Sequence, residues 1–451
     1  MSNTISIKDL ITSYGIHTLK MKCSASGYTD SDYSEQTINY QPLISFDTIN
    51  EAIIFSHVIP SVTEYKIYGE SILLGTFTTS QASTDDISIS CSSLGINLDD
   101  YSYYSLTTTI NGQTYTTGNI YMAKIYGVSG LYDSSPLLTR TDDAVGMTYA
   151  FESSTGVVSS DFDDVFPYNR MTRVTIDGNV FVRVPSMWFR VGADSNNRIT
   201  DIAVSEQRRG TGNWYKTDEF YYGAYCGNVN SSKLRSVSGV TPSGDGTLSQ
   251  FRAYATNNGS GYQQLDLYHK TIMNFLWLIE FANKNSQELF PMTYTSKLNT
   301  GGTDSLTTPS GFLTSNKRFR WHYIEDFFGN MAEALDGVTG NSLASADPSI
   351  YNDNGTNYNT LGYTVTWTEG SYIKALGWDN NNPFLCMPAE IGGGGSTYFC
   401  DCLYGTLRQG NWCFCGGDYG GHYMDVSGLF FLYQYNTYGA FGARLLYKPV
   451  S

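Results

Sequence analysis

Two cysteine pairs carry the chemistry most readily read from this sequence: Cys400-Asp401-Cys402 and Trp412-Cys413-Phe414-Cys415-Gly416-Gly417. Residues two apart on a strand share a face, so Cys413 and Cys415 as thiolates could hold Cu(I) linearly. The two pairs together could supply a four-sulfur zinc site, although C-x-C twice departs from the C-x2-C spacing of zinc knuckles. Five of the eight cysteines (23, 91, 226, 386, 400, 402, 413 and 415) fall in the last 66 residues. A chain this long does not use eight cysteines as a disulfide framework. The histidines (17, 57, 269, 322 and 422) are scattered, with no H-E-x-x-H. His269 lies in a helical stretch and reads as a capping or core histidine. Asp142-Asp143 and Asp161-Phe162-Asp163-Asp164 offer carboxylates for calcium, but they lack the spaced ligands and glycine of an EF-hand and read as solvated loops. Gly392–Gly395 lacks the Lys-Ser/Thr of a phosphate loop and reads as a turn. On the residues alone, the expectation is no catalytic group, no metal and no cofactor.

The elements that must position these residues belong to a chain of 451 residues, a length suited to about two or three domains. A net charge of −15 gives no basic footprint and argues against a nucleic-acid partner. Tyr (36), Phe (23) and Trp (7) make up 15% of the chain, the same share as all charged residues. That balance is globular, because aromatics bury large areas. It also supplies more tyrosine than a core needs, and surface tyrosine favours recognition. No run of 18 apolar residues spans a membrane. The start, MSNTISIKDLITSYG, has no secretory or lipidation signal, so folding in a cytoplasm is the expectation.

Residues 1–40 read as a partial β segment or attachment region, with Leu19, Met21, Cys23 and Ala25 alternating with polar residues. Residues 41–122 predict a β-sandwich. Its strands are expected at Glu64–Tyr68, Ile72–Phe77, Ile87–Cys91 (Ile87, Ile89 and Cys91 inward) and Tyr103–Ile110, with a two-residue turn at Asn111-Gly112. Residues 123–451 predict one amphipathic helix from about Leu265 to Ala282, with Leu265, Tyr268, Ile272, Phe275, Leu276 and Ile279 on one face. Short strands are expected at Val180–Val184, Trp188–Val191 and Ala443–Tyr447, set among long loops of the kind that carry function.

The stretches LKMKCSASGYTDSDYSEQTINY, YKIYGESILLGTFTTSQ and DDISISCSS resemble the fibronectin type III and immunoglobulin-like modules of bacteriophage tail and capsid decoration proteins. The first copy resembles only the last strands of such a repeat, which implies that its missing strands come from elsewhere. Farther on, Ile324-Glu325-Asp326-Phe327-Phe328-Gly329-Asn330-Met331-Ala332-Glu333-Ala334-Leu335-Asp336-Gly337 resembles the "IED-x-x-GN-x-x-E-x-x-DG" stretch of the formylglycine-generating-enzyme type of C-type lectin fold. Ala332 and Leu335 replace bulkier residues of that pattern. Leu407-Arg408-Gln409-Gly410-Asn411-Trp412, Ser427-Gly428-Leu429-Phe430 and Gly442-Ala443-Arg444-Leu445 resemble its "LRGGxW", "aGxF" and closing "GxR" elements. Ser238-Gly239-Val240-Thr241-Pro242 and Gly261-Tyr262 fit the same family.

The combination is similar to the variable proteins of diversity-generating retroelements, especially those at the tips of gut bacteriophages. The resemblance implies a multidomain, mainly β chain with some α: an immunoglobulin/fibronectin-like sandwich stalk, then an α+β C-type lectin-like domain with a variable region at about 398–447. In such proteins mutable AAY codons become NNY, which encodes Asn, Tyr, Cys, Phe, Asp, His, Ser and Gly but excludes Trp, Met, Gln, Lys and Glu. Asn411, Cys413, Phe414, Cys415, Asp418, Tyr419, His422, Tyr423, Phe431, Tyr433, Tyr435, Tyr438 and Phe441 are all of allowed types. Trp412, Met424 and Gln434 are the excluded types in that span.

Those thirteen positions are the expected contact face, flanked by Tyr398, Phe399 and Tyr404. Arg408, Trp412, Gly442, Arg444, Glu325, Asn330 and Glu333 are expected to be scaffold. The resemblance implies a virion receptor-binding protein, assembled in the host cytoplasm, whose target is a bacterial surface protein or glycan. It also implies attachment to other tail proteins through the N-terminal region, and a homotrimer. The runner-up is a bacterial surface or pilus-tip adhesin. A copper oxidase of the same fold comes third, because its cysteines follow the "RGGSW" strand at C-x4-C rather than C-x-C. True C-type lectins bind sugar through calcium with an "E-P-N" or "Q-P-D" triplet, and neither occurs.

Overall fold

Alternation in the first part of the chain is realised as antiparallel strands around one core. The structure, a computed structural model, describes residues 14–21, 34–56, 64–77, 87–152, 155–210, 212–290, 296–313, 318–339, 349–351, 358–405, 412–417, 419, 432–435 and 439–449. It divides into two units, residues 1–123 with 207–211, and residues 124–206 with 212–451. It is mainly β-sheet with few helices.

In the first unit, Ile120–Tyr121, Tyr103–Ile110, Tyr65–Gly69 and Ile72–Phe77 lie side by side in that order. A second sheet holds Leu43–Asp47, Ala52–Ser56 and Ile87–Ser90. Tyr104 and Leu106 alternate inward with half-exposed neighbours, and they meet Ile53 and Phe55 of the other sheet in one core. Asn111 and Gly112 both adopt left-handed backbone (φ 51° and 80°), which closes Ile110 onto Gln113 in the turn their types favour. Ile87–Ser90 stops one residue short of expectation, and Cys91 enters the core from a short 3-10 turn.

The 1–40 segment is not independent of this unit. Gly15–Met21 pairs only with Ser34–Tyr40, yet Tyr14 and Tyr40 bury in the same core, and the Tyr14 hydroxyl meets that of Tyr65 at 2.9 Å. Cys23 and Ala25 lie outside the described residues.

The second unit is built around helix α2, Leu267–Phe281, which helix α1, Leu248–Thr256, precedes in the chain. α2 matches the expected span, but it is not amphipathic in its setting: its polar residues Lys270, Asn274 and Glu280 are buried with the apolar ones. A helix buried on all sides needs partners for such groups. Lys270 gives its Nζ to the Phe327 carbonyl at 3.0 Å and lies over the Phe327 ring. Glu280 accepts from Trp321 Nε1 at 2.7 Å. The N-cap is Asp266, which takes the His269 backbone N–H and also meets the His269 ring at 2.6 Å. Ala282, left-handed at φ 48°, ends the helix.

α1 was not expected. Its signal is the Thr247/Gln250 capping box, each side chain bonded to the other's backbone N–H. Asn179–Val184, Met187–Ala193 and Arg444–Tyr447 realise the three expected strands within a residue or two. The last of these inserts between Phe220–Cys226 and Tyr262–Gln264, so the end of the chain is locked into the middle of a sheet.

Candidate recognition face

The "IED…GN…E" residues build a buried network that fixes loops to sheet. Arg318 (2% exposed) gives one guanidinium nitrogen to Glu325 at 2.5 Å and to Asp326. Glu325 accepts the Gly301 and Thr303 backbone N–H groups at 2.8 and 2.7 Å, and the Thr303 hydroxyl at 2.8 Å. Burial, and then the charge of Asp326, push the Glu325 carboxyl up to about 7. Asn330 accepts from Leu298 N with its carbonyl and donates to the Leu298 carbonyl and to Asp326.

Arg444, completely buried, is the hub. Its Nε reaches Glu333 at 2.5 Å. Its terminal nitrogens donate to the carbonyls of Gly223 (2.9 Å), Glu325 (3.1 Å) and Asp326 (2.9 Å). Burial acts against its charge, but the Glu333 carboxylate reverses this and holds the guanidinium well above its ordinary range. Gly442 is required beside it, because a Cβ there would meet the Ser243 carbonyl at 2.7 Å.

This network supports strand Ala332–Thr339, which pairs with Trp412–Cys415 on one side and, in parallel, with Phe441–Gly442. Trp412–Cys415 pairs in turn with Leu432–Tyr435, placing Phe414 opposite Tyr433, and Leu432–Tyr435 runs parallel to Leu403–Gly405. Both ends of the tyrosine-rich segment therefore meet on one support. Gly329 N donates to Gly416 O at 2.6 Å, Tyr419 N to Asn330 O at 3.1 Å, and Ala332 N to Ala440 O at 3.0 Å.

The expected contact residues divide sharply. Cys413 and Cys415 were expected on an outward face, yet they are 0% and 1% exposed and belong to the main core. Phe414 lies in a second core, its ring 4.6 Å from that of Phe441, which is also buried. Phe399 is buried as well. The reason is that Trp412–Cys415 is an interior strand with a packed core on each face, so alternation sends Cys413 and Cys415 into one core and Phe414 into the other. Tyr398, Tyr404 and Tyr419 are half-buried and keep some surface. Tyr433, Tyr435 and Trp412, the last of these expected to be scaffold, lie on strands whose backbone is described. Asn411, Asp418, His422, Tyr423, Phe431, Tyr438 and Arg408 lie outside the described residues.

Burial pushes the Cys415 thiol up to about 12, and those of Cys400 and Cys402 to about 11 and 12. A buried thiol is a poor copper ligand and a poor nucleophile. Maleimide added to the folded chain is therefore expected to leave Cys413 and Cys415 unmodified under conditions that label both in urea. Peptide mass spectrometry reads this directly, and labelling of the folded chain would restore the exposed-thiol reading. Among the described residues the cysteines form no four-sulfur group; the one cluster of three metal-ligating types is Asp163, Glu280 and His322. Sequence reasoning missed it, because these residues are far apart and Asp163 read as a solvated loop.

The unit also holds a cleft of about 400 Å3, lined by Arg252, Asp266, Tyr268, His269, Asp336 and Lys448 among others. Its charges are largely engaged with one another: Arg252 grips Asp336 with two bonds of 2.8 and 2.7 Å, and Asp266 holds His269. No protein-family model matches the chain, and no curated protein matches it.

Proposed function

We propose that this chain is a receptor-binding protein, carried on a bacteriophage tail and diversified by a retroelement, whose C-terminal segment docks on a bacterial surface protein or glycan. The supporting observation is that Gly416 and Tyr419 on one side of the tyrosine-rich segment, and Ala440 on the other, all hydrogen-bond to the same short stretch, Gly329–Ala332. A segment with both ends held can change its side chains while its support keeps one geometry, so little ordering entropy is lost when a target docks. Tyrosine on such a support supplies contact area with few rotors. The buried Phe399, Cys413, Phe414, Cys415 and Phe441 belong to the support, and the contact set contracts to Asn411, Asp418, Tyr419, His422, Tyr423, Phe431, Tyr433, Tyr435 and Tyr438, with Tyr398 and Tyr404 beside them.

Sequencing the 3′ end of the gene across a phage population tests the reading. The expected result is variation at codons such as 422, 423, 433, 435 and 438, beside a near-repeat carrying adenines at those positions. Codons 413, 414 and 415 are expected to stay apolar, because their side chains are core. Invariance throughout, with no near-repeat, would sink the proposal.

A further inference from the structure

We propose that Asp163, Glu280 and His322 form a structural site for one divalent transition-metal ion such as Mn2+ or Zn2+. One ligand atom from each residue lies within 4.8 Å of the other two. His322 Nε2 is 2.9 Å from Glu280 Oε2, and its Nδ1 is 3.9 Å from Asp163 Oδ1. Metal–ligand bonds of about 2.0–2.2 Å place opposed ligands at most roughly 4.4 Å apart; the two carboxylates meet different nitrogens of the His322 ring, so an ion bound at one nitrogen must draw the farther carboxylate toward it.

The second observation is independent of that spacing. Glu280 is completely buried, and its Oε1 has no hydrogen-bond partner; neither does the buried Oδ1 of Asp163. Neighbouring donors are already committed, none of them to Glu280 Oε1 or Asp163 Oδ1. Trp321 Nε1 goes to Glu280 Oε2. Arg140 gives its guanidinium to the carbonyls of Ile279 and Glu280, and the Tyr168 hydroxyl goes to the Leu276 carbonyl. Two carboxylate oxygens left this way next to an imidazole want a cation. One imidazole with two carboxylates suits zinc or manganese, whereas calcium and magnesium prefer oxygen alone and Cu(I) prefers sulfur.

The residues come from three elements: the 3-10 turn Asp161–Asp164, the last turn of α2, and the two-residue turn between Arg318–Trp321 and Ile324–Glu325. His322 and Glu280 are at most 1% exposed, while the Asp163 side chain is 22% exposed. Water therefore has the Asp163 side from which to complete the shell. The ion's role is to join the three elements.

The full chain, stripped with chelator, is titrated with Mn2+ and followed by electron paramagnetic resonance and thermal unfolding. The expected result is one tightly bound Mn2+ per chain, displaced by Zn2+, with a raised melting temperature. Asp163→Asn, which alters the most exposed ligand, is expected to weaken binding at least tenfold while circular dichroism stays the same. His322→Gln provides a second variant with the same expectation. Absence of a bound ion in the wild-type chain overturns the proposal, as does equal binding by the wild type and Asp163→Asn.

Discussion

Arg444→Met is expected to destabilise the unit formed by residues 124–206 and 212–451 by about 3–5 kcal/mol, the usual cost of removing one partner of a buried ion pair. Methionine fills much of the space, so the loss is electrostatic rather than a cavity. Glu333 is 2% exposed, its Oε1 is held by Arg444, and its Oε2 has no partner among the described residues. Without the guanidinium, that carboxylate is left buried with no ion-pair partner, and the carbonyls of Gly223, Glu325 and Asp326 lose their donors. Adding Glu333→Gln to the same chain is expected to return part of the loss, because the stranded charge is then gone. Urea unfolding of the wild type, the single and the double variant measures this. A single-variant loss under about 1 kcal/mol would mean that Arg444 is not what unites the sheets.

How much of this was legible depended on whether the deciding contact was local. The Tyr103–Ile110 strand and its Asn111-Gly112 turn were readable because period-two alternation and left-handed residue types lie next to one another. The span of α2 was readable from its apolar spacing, but its complete burial was not. Lys270 finds its partner at Phe327 and Glu280 finds its own at Trp321, and no helical periodicity records those segments. α1 was legible in principle from Thr247 and Gln250, but its apolar content is thin. The resemblance in sequence pointed to Glu325, Asn330, Glu333 and Arg444, and those four are buried and joined through one hydrogen-bond network. Cys413, Phe414 and Cys415 went astray for a physical reason. A codon rule speaks of residue type, whereas outward or inward depends on whether a strand has neighbours on both edges and cores on both faces. Those neighbours, 332–339 and 432–435, lie on opposite sides of it in sequence. Asp163, Glu280 and His322 had no spacing to read.

Tyr433→Ala combined with Tyr435→Ala is expected to reduce attachment to target cells more than about 100-fold, since two interface tyrosines at hot-spot strength suffice for that. The melting temperature is expected to stay nearly unchanged. The strand that carries them, Leu432–Tyr435, is paired by backbone on both edges, with Trp412–Cys415 and with Leu403–Gly405, and truncation to alanine removes none of those hydrogen bonds. Phe414→Ala is the contrasting variant: its side chain is 0% exposed and packed on Phe441, so its truncation should cost about 3–5 kcal/mol of stability. It would weaken attachment only by unfolding the support. Cell-binding assays and thermal unfolding on both variants separate the two roles. If the tyrosine pair lowers the melting temperature as Phe414→Ala does, those tyrosines are core, and the contact surface must be sought at Tyr398, Tyr404 and Tyr419. If stability and attachment are both retained, the target docks elsewhere on the chain and the proposed face is wrong.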